Sequence, residues 1–529
     1  MLDVVLEQPT IVDGTGAPGY RTDVALRGDR IVRIGDCADR DAIQRIDCSA
    51  LVVAPGFIDM HGHSDEALLA LPTADSKILQ GVTLEVGGNC GASPGPFSAT
   101  SLAERRDELR SRYDIDATWN DFGGFLDALD AEPPAINFCC LVGLGETRKA
   151  IGAVTPGPLS KETLERQCAL VREACERGAI GVSSGLIYQP GSFADLAELE
   201  SLAAAARNAG SPLYASHIRS EGDLLVEAVE EALTIGRRAG IAVQLSHHKA
   251  AGRRNWGKVH DTLTLIERAR TSGVDVVLDQ YPYKASSTGL ELILPADVNV
   301  GTKAEIAARL TDPVYFALTA GRIDLEYAGR WDEVLVASVG SERNRAFEGM
   351  TMSDIADRTG ASPAAAALGL LRDESLDVAA IYFTMCEDDL RAVLQYANTC
   401  IGSDSSVRAV DGITARGKPH PRTFGTFPRI FKRYVRESKL LSLEEAVRRA
   451  TGLAAERLGI RERGRIAEGY FADLVLFDPV SIADTSTYEE PHRYPAGIRS
   501  VYVNGEAVVH AGQITGARPG RLLRRGRDL

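Results

Sequence analysis

The fold is decided by the stretch Val53-Ala54-Pro55-Gly56-Phe57-Ile58-Asp59-Met60-His61-Gly62-His63. Its apolar part is typical of a short buried strand, and two histidines follow that strand at once. Because side chains alternate along a strand, His61 and His63 at positions i and i+2 point the same way and could share one ion. The stretch therefore predicts a strand whose C-terminal end carries a pair of metal-type side chains.

Similar apolar or small-residue runs recur through the centre of the chain, most of them separated by helical segments such as 164–176 and 224–238. Strands that alternate with helices are typical of an eight-stranded (β/α) barrel. The sequence offers nine candidates for the eight strands and does not say which is surplus. The candidates are 57–59, 82–87, 136–142, 180–185, 213–216, 242–246, 274–279, 379–384 and 399–402.

The two ends of the chain have a different texture. Residues 1–56 and 462–529 contain short alternating strands separated by glycine turns such as Asn504-Gly505. Neither set alone offers a closed core, so we predict that both build one small β-sandwich domain. The predicted fold is α/β: a TIM-like (β/α)8 barrel over 57–461, that sandwich, and an inserted lid over 286–350, which resembles no regular barrel unit.

Length and charge exclude several classes of protein. The chain has 529 residues, 44% of them hydrophobic, which allows two to four domains or one large α/β body. With 59 Lys plus Arg against 73 Asp plus Glu the net charge is −14, and the only basic block is the tail 521–527, which argues against a nucleic-acid partner.

The sequence also argues against a membrane or secreted protein. No apolar run approaches the ~18 residues of a membrane span, and Met1-Leu2-Asp3-Val4-Val5 lacks the basic and apolar regions of a signal peptide. The nine cysteines are odd in number and form no dense framework, so reduced thiols are expected. These observations predict a cytoplasmic protein with no membrane partner, and they leave its oligomeric state open.

Metal-type side chains follow the predicted strands. A lone histidine is usually packed or solvated, but four of the chain's nine histidines come directly after strands whose ends would meet at one barrel mouth. Imidazole and thiolate suit zinc, and a site with an open position suits hydrolysis. The set consists of His61, His63, Cys90, His217, His247 and Asp404.

The remaining histidines are weaker candidates. His248 competes with His247, and it points to the other side if the strand continues. His260, His492 and His510 are interpreted as surface or structural residues.

The motifs carry a family resemblance. The opening stretch resembles that of the amidohydrolase superfamily, and 464–475 (GRIAEGYFADLV) resembles its closing sheet signature. The motifs between them are Gly88-Asn89-Cys90-Gly91, His217-Ile218-Arg219-Ser220-Glu221-Gly222, Ser246-His247-His248-Lys249-Ala250, Asp279-Gln280-Tyr281-Pro282-Tyr283, Gly402-Ser403-Asp404 and the segment 420–429 (HPRTFGTFPR). This set resembles the N-acyl-D-amino-acid deacylases (D-aminoacylases), and the similarity extends over nearly the whole chain.

The resemblance implies a division of labour among the metal-type residues. Cys90, His217 and His247 would bind one tight zinc, and His61, His63 and Asp404 would complete a second position that is weaker or vacant. The cysteine would bridge the two positions in place of the carboxylated lysine of many superfamily members, since a thiolate is anionic and can bind two cations.

The same resemblance implies the reaction. Asp404 would take the proton of a water molecule and deliver it to the leaving amine, so that an N-acyl-D-amino acid yields a carboxylate and a free D-amino acid. With no second metal, His61 or His63 could donate a hydrogen bond to the oxyanion.

The substrate should be a small molecule with an α-carboxylate, which needs cations and hydroxyl groups. Lys249, Tyr281 and Arg422 are the candidates for this role, and Ser287 and Arg148 are further ones.

Two departures from the family pattern concern the substrate pocket. Relatives commonly carry a histidine where this chain has Leu144, between Gly143 and Gly145. Family members that prefer acidic D-residues carry an arginine just beyond a Ser-Thr-x-Leu stretch. The corresponding segment of this chain, 286–302, contains neither Lys nor Arg, and its charged residues are Glu291 and Asp297. We therefore predict a preference for neutral or apolar D-residues.

The sequence leaves other functions open. A dipeptidase acting on L-Xaa-D-Xaa peptides is not separated by the sequence, since such a peptide is itself an N-acyl-D-amino acid. A cyclic-amide hydrolase such as a hydantoinase or dihydroorotase would share the fold but ordinarily has a bridging lysine. A non-catalytic barrel would be expected to have lost part of the ligand set, which is complete here. The preference for D over L rests on the resemblance alone.

Overall fold

The computed structural model describes residues 1–529, and its centre is a closed parallel barrel. Each strand pairs with the next along the chain in parallel. The last strand meets the first where Met60 N donates to Ile401 O at 3.2 Å and Gly62 pairs with Ser405. The barrel strands are Phe57–Asp59, Val82–Gly87, Asn137–Cys140 with its continuation Val142–Gly143, Val182–Gly185, Leu213–His217, Ala242–Leu245, Val276–Gln280 and Thr399–Ile401.

Helices cover the outside of the barrel. Leu225–Ala239 shows why they form there: its apolar side chains recur on one buried face, and it ends at Gly240, whose left-handed φ of 62° suits a residue without a Cβ. The α-helices outside the inserted unit are Ala67–Ala70, Asp75–Ile78, Ala99–Tyr113, Phe122–Ala131, Leu144–Ala150, Lys161–Glu176, Leu196–Asn208, Leu225–Ala239, Lys258–Thr271, Glu387–Gln395, Arg422–Arg429, Leu443–Ala450 and Gly452–Leu458. The helix Arg422–Arg429 continues as a π-helix over Ile430–Glu437.

An inserted unit separates the seventh and eighth barrel strands. Its antiparallel sheet has the order Ser286–Gly289, Val378–Tyr382, Val334–Val339. The candidate strand at 379–384 is therefore the surplus one, and the unit continues past residue 350. The unit encloses a hydrophobic core of its own. Its helices are Lys303–Arg309, Pro313–Glu326, Met352–Thr359 and Pro363–Asp373.

The chain termini form two further sheets that pack as a sandwich. Leu474–Phe477 pairs antiparallel with Val52–Pro55, so both ends of the chain share one sheet. Side chains from both sheets, among them Val4, Leu6 and Leu476, form one apolar core. One sheet has the order Arg30–Ile34, Val24–Arg27, Leu2–Glu7, Ala42–Asp47; the other has the order Gln513–Ile514, Glu506–His510, Ile498–Val503, Leu474–Phe477, Val52–Pro55, Thr10–Ile11, Tyr20–Arg21.

The architecture of a barrel with a terminal β-sandwich confirms the predicted fold class. The exact domain boundaries stay a prediction. No helix has both the length and the apolar character that a membrane crossing requires. All nine cysteines are free thiols.

Candidate active site

The C-terminal ends of the barrel strands bring all six predicted metal-type residues together at one mouth. Three of them adopt left-handed backbone angles, with φ of 54° at Cys90, 33° at His247 and 49° at Asp404. Non-glycine residues pay a conformational cost in this region, and such strained residues cluster at functional sites. The loops are thus shaped to aim these side chains.

The Cys90 thiol lies at the centre of the cluster. Its Sγ is 3.3 Å from His61 Nε2, 3.6 Å from His217 Nδ1 and 3.5 Å from His247 Nε2. Ligands at zinc–sulfur and zinc–nitrogen distances stand about 3.5 Å apart when they are arranged tetrahedrally. His217 Nε2 is buried without a hydrogen-bond partner, so this ring is held mainly by what its Nδ1 binds. The cluster therefore fits a metal ion with sulfur and nitrogen ligands.

The charges around Cys90 suit a thiolate ligand. Burial alone raises the pKa of this thiol, but His61 and the hydrogen bonds from His217 and His247 outweigh burial and hold the pKa well below its usual value. Since the thiolate is the form that binds metals, the site is prepared for a cation.

Asp404 lies at the edge of the cluster, next to His61 and His63. Its Oδ1 lies 3.2 Å from His63 Nε2 and 3.8 Å from His61 Nε2. Its Oδ2 lies 2.8 Å from Arg422 Nη1. Burial raises the pKa of this carboxyl, but Arg422 above all, together with His247, keeps it well below the usual range. Asp404 is therefore an ionised carboxylate next to a second group of possible ligands, His61 and His63.

Two carboxylates orient the histidines from behind. Glu221 Oε1 is 2.9 Å from His247 Nδ1, and Asp279 Oδ1 is 3.3 Å from His61 Nδ1. Such partners fix the ring that faces a metal and increase its basicity. The sequence analysis assigned no role to these two residues. Their positions could have indicated one, since Asp279 lies near the end of a barrel strand and Glu221 lies four residues after His217.

A cavity of about 500 Å³ opens above the cluster. The predicted residues Lys249, Ser287 and Arg422 line it, as do Asp404 and Cys90. The inserted unit supplies part of the wall. Its lining residues include Thr288, Leu292, Tyr327 and Tyr382.

The two predicted cations differ in how many donors they have free. Lys249 Nζ contacts the Glu221 carboxylate and lies 2.7 Å from His247 O and 2.8 Å from His247 Nδ1. The Arg422 guanidinium, with five N–H donors, contacts Asp404 and donates from Nη2 to Ser287 O at 3.2 Å. Arg422 thus has more capacity for a further anion.

Two predicted substrate-binding residues lie elsewhere. Tyr281 is completely buried and does not line the cavity; its ring supports Arg422, whose Cζ stands 4.6 Å from the ring centroid. Arg148 also lies away from this cavity, because Glu198 at 3.0 Å and the backbone oxygens of Ala153 and Gly157 bind its guanidinium. Neither side chain lines the cavity, so the geometry gives no support to a direct contact of Tyr281 or Arg148 with the substrate.

His248 is not part of the cluster. Its Nε2 is 2.8 Å from Thr262 Oγ1, a residue of helix Lys258–Thr271, and burial lowers its pKa to about 4. His247 and His248 thus face opposite sides, which resolves their competition in favour of His247.

Comparison with known proteins agrees with this geometry. The amidohydrolase family model matches residues 44–207 and 397–509. Three proteins of Alcaligenes xylosoxydans xylosoxydans are similar over nearly their whole length: N-acyl-D-glutamate deacylase at 39% identity, covering 100% of this chain and 98% of the relative; D-aminoacylase at 38%, covering 99% and 98%; and N-acyl-D-aspartate deacylase at 37%, covering 99% and 95%.

Solved structures give the same result. N-acyl-D-glutamate deacylase from Bordetella bronchiseptica, in complex with zinc and a phosphonate mimic of the tetrahedral intermediate, superimposes with a TM-score of 0.83 at 36% identity, covering 99% of both chains. A D-aminoacylase crystal structure has the same score and identity and covers 99% of this chain and 100% of its own. A D-hydantoinase, at 16% identity and a TM-score of 0.57, shows only that the fold is shared. The chain belongs to the N-acyl-D-amino-acid deacylase (D-aminoacylase) family of metal-dependent amidohydrolases.

Proposed function

We propose that this protein is a zinc-dependent hydrolase that cleaves the amide bond of N-acyl-D-amino acids to a carboxylate and a free D-amino acid. One observation carries the proposal: the ionised Asp404 borders a cysteine–histidine cluster at the base of a cavity that also holds Lys249 and Arg422. A nucleophile-activating carboxylate, metal ligands and cations for a substrate carboxylate are the parts this reaction needs.

Cys90, His217 and His247 would hold one tight zinc, and His61, His63 and Asp404 would form a weaker or vacant second position. The separations of 3.6 Å from Cys90 Sγ to His217 Nδ1 and 3.5 Å to His247 Nε2 support the first assignment. When bound, zinc polarises the amide carbonyl and makes a water proton more acidic.

Asp404 would carry the proton. Its carboxylate is ionised and so can accept a proton from the attacking water and then donate it to the leaving nitrogen. With the second metal position vacant, His63, which lies 3.2 Å from Asp404 Oδ1 and lines the cavity, can donate a hydrogen bond to the developing oxyanion.

The walls of the cavity bear on the choice of substrate. Arg422, with donors free, is the main candidate for binding the α-carboxylate, and Lys249 adds positive charge beside it. The remaining wall contains apolar groups from Ile187, Leu292 and Tyr382. The further cation, Lys149, is paired with Glu146 at 2.8 Å. These features support a preference for neutral or apolar D-residues.

The test is hydrolysis of matched N-acetyl-D- and N-acetyl-L-amino acids by zinc-loaded enzyme, with release of the free amino acid measured. We expect turnover of N-acetyl-D-leucine and N-acetyl-D-methionine and little of their L-enantiomers. Faster turnover of N-acetyl-D-glutamate would contradict the side-chain preference. No turnover of any N-acyl-D-amino acid by zinc-loaded enzyme would contradict the proposed function, and L-Xaa-D-Xaa dipeptides would then be tested.

We propose that the protein is cytoplasmic. The nine free cysteines support this proposal, because the cytoplasm is a reducing compartment in which thiols persist.

A further inference from the structure

A second buried cluster lies next to the loop that carries Asp404. The ammonium of Lys77 is 2.8 Å from Asp59 Oδ2 and 3.2 Å from Glu85 Oε2, and all three side chains are 0% exposed. Lysine is almost never fully buried unless it is paired, and burial of charge is costly. The proposed reaction gives this ammonium no task, so its position needs another explanation.

Both chain neighbours of Asp404 are attached to this ion pair. Ser403 donates to Asp59 twice, from its backbone N at 2.8 Å and from its Oγ at 2.5 Å. On the other side of Asp404, Lys77 Nζ donates to Ser405 O at 2.9 Å. Asp404 itself has a φ of 49°, a conformation that persists only when its surroundings fix it.

Glu85, the second carboxylate of the cluster, contacts the loop that carries His61 and His63. Glu85 accepts hydrogen bonds from Ser64 N at 2.9 Å and Ser64 Oγ at 2.8 Å, directly after His63. The carboxylate also lies against the backbone between the two histidines, since a Cβ added at Gly62 would stand 2.0 Å from Glu85 Oε1. Lys77 therefore lies between Asp59, which binds the loop of Asp404, and Glu85, which binds the loop of His61 and His63.

We infer that Lys77 is a positioning residue whose ammonium holds the Asp404 loop against the His61–His63 loop and so sets where the Asp404 carboxylate stands relative to the metal-binding cluster. Direct bonds between the loops, from Asp404 N to His61 O at 2.7 Å and from His63 N to Ser405 O at 3.1 Å, transmit this placement. The kinetic part of this inference rests on the proposed function, because it assumes that Asp404 transfers the proton.

The primary variant is Lys77→Met in the full-length, zinc-loaded enzyme. A displacement of a reacting group by about 1 Å can cost about 100-fold in rate, so we expect kcat to fall by that order. KM should change by less than about threefold, because Lys77 does not line the cavity. Zinc content should stay that of the wild type. An unchanged kcat in folded Lys77→Met would overturn the inference.

Arg463→Met is the matched control. It also removes the cation of a buried ion pair, Arg463–Asp473, whose side chains are 4% and 5% exposed. That pair joins the terminal sandwich to the start of a barrel strand through Asn504 and Asn137. We expect it to lose stability with kcat unchanged; an equal loss of kcat in both variants would overturn a specific role for Lys77.

Ser403→Ala covers the case in which Lys77→Met does not fold. It removes the hydroxyl that donates to Asp59 and accepts from Lys77 and from Ser405 Oγ, with little change of volume. We expect a loss of kcat of about 10-fold with KM retained, because a smaller displacement of Asp404 than in Lys77→Met costs less of the rate. An unchanged kcat in Ser403→Ala would overturn the inference.

Two further measurements separate positioning from general damage. If Lys77 acts through Asp404, adding Lys77→Met to Asp404→Asn should cost less than about threefold more, whereas independent effects would multiply. Hydrogen exchange of the zinc-loaded enzyme should also accelerate at 59–66 and 399–408 in Lys77→Met but not in Arg463→Met.

Hydrogen exchange needs no substrate, so it distinguishes the two proposals. If wild-type enzyme cleaves no N-acyl-D-amino acid while both loops exchange faster in Lys77→Met, the proposed function fails and loop anchoring stands. If wild-type enzyme is active while exchange is unaltered in Lys77→Met, the inference fails and the proposed function stands.

Discussion

The barrel carries a buried polar cluster at each end, and the two clusters differ in how completely their groups are satisfied. At the start of a barrel strand Asn137, Arg463, Asp473 and Asn504 form a closed network, in which Asn504 Nδ2 donates to Asn137 Oδ1 at 2.9 Å and Arg463 donates to Asn504 Oδ1 at 2.8 Å. Its one left-handed residue is Asn504, a residue type that tolerates this conformation.

The cluster at the mouth is strained and open by comparison. Cys90, His247 and Asp404 all have left-handed backbones, and His217 Nε2 has no hydrogen-bond partner. The pKa of the Cys90 thiol is held far below its usual value, mainly by His61 against the opposing effect of burial. The contrast indicates that the first network contributes stability, whereas the mouth keeps its ligand atoms for a bound ion and substrate.

Cys90→Ala should produce the largest effect. Removal of the shared thiolate should lower zinc content from about one ion per chain to near zero, and hydrolysis should fall by at least about 1,000-fold. Metal analysis and kcat/KM measure this. Cys168→Ala, which alters a buried thiol on helix Lys161–Glu176, is the control and should behave as wild type. Retention of zinc and activity in Cys90→Ala would refute the role of the mouth cluster.

Asp404→Asn should come next. Loss of the proton acceptor should lower kcat by about 100- to 10,000-fold, the usual share of general acid–base catalysis. Zinc content should be retained, because Cys90, His217 and His247 remain. Steady-state kinetics with metal analysis decide the matter, and activity within about tenfold of wild type would show that another group moves the proton.

Arg422→Met should move the pH profile. Arg422 lies 2.8 Å from Asp404 and lowers the pKa of that carboxyl, which acts as a base only when ionised. Without the guanidinium the pKa of Asp404 rises, so on acidification activity is lost at a higher pH than in the wild type. The acid limb of kcat/KM against pH measures this shift, and KM should rise as well. An acid limb at the same or lower pH would contradict the pairing.

Arg463→Met should have the smallest effect on catalysis. Breaking this buried pair should cost about 3–5 kcal/mol of unfolding free energy, with kcat of the folded enzyme unchanged. Denaturant unfolding and kinetics on the same preparation test it. A fall in kcat without a fall in stability would erase the distinction between the two clusters.

The sequence predicted the barrel and the residues at its mouth because their signals are local. His61 and His63 follow a strand in alternation, and the ends of parallel strands must converge. The strand Val378–Tyr382 could not be assigned from its pattern, because alternation says nothing about which sheet a strand joins; here its partners are Ser286–Gly289 and Val334–Val339.

The sequence could not show which residues that are distant in the chain become partners in the fold. Arg148 was expected at the substrate, but Glu198, fifty positions away, neutralises it. Tyr281 supports Arg422 from within the core. Lys77 had no signal at all, since a lysine is normally exposed and its burial depends on Asp59 and Glu85 meeting in the folded barrel.

Zinc titration of the metal-free enzyme tests the central claim most directly, with hydrolysis of N-acetyl-D-leucine followed at each addition. We predict that the rate rises in proportion to zinc up to one equivalent per chain and that Cys90→Ala shows no rise. Two results would contradict the claim that the cluster at the mouth makes this protein a hydrolase. One is hydrolysis at the full rate by the metal-free enzyme, and the other is a zinc-dependent rate that Cys90→Ala retains.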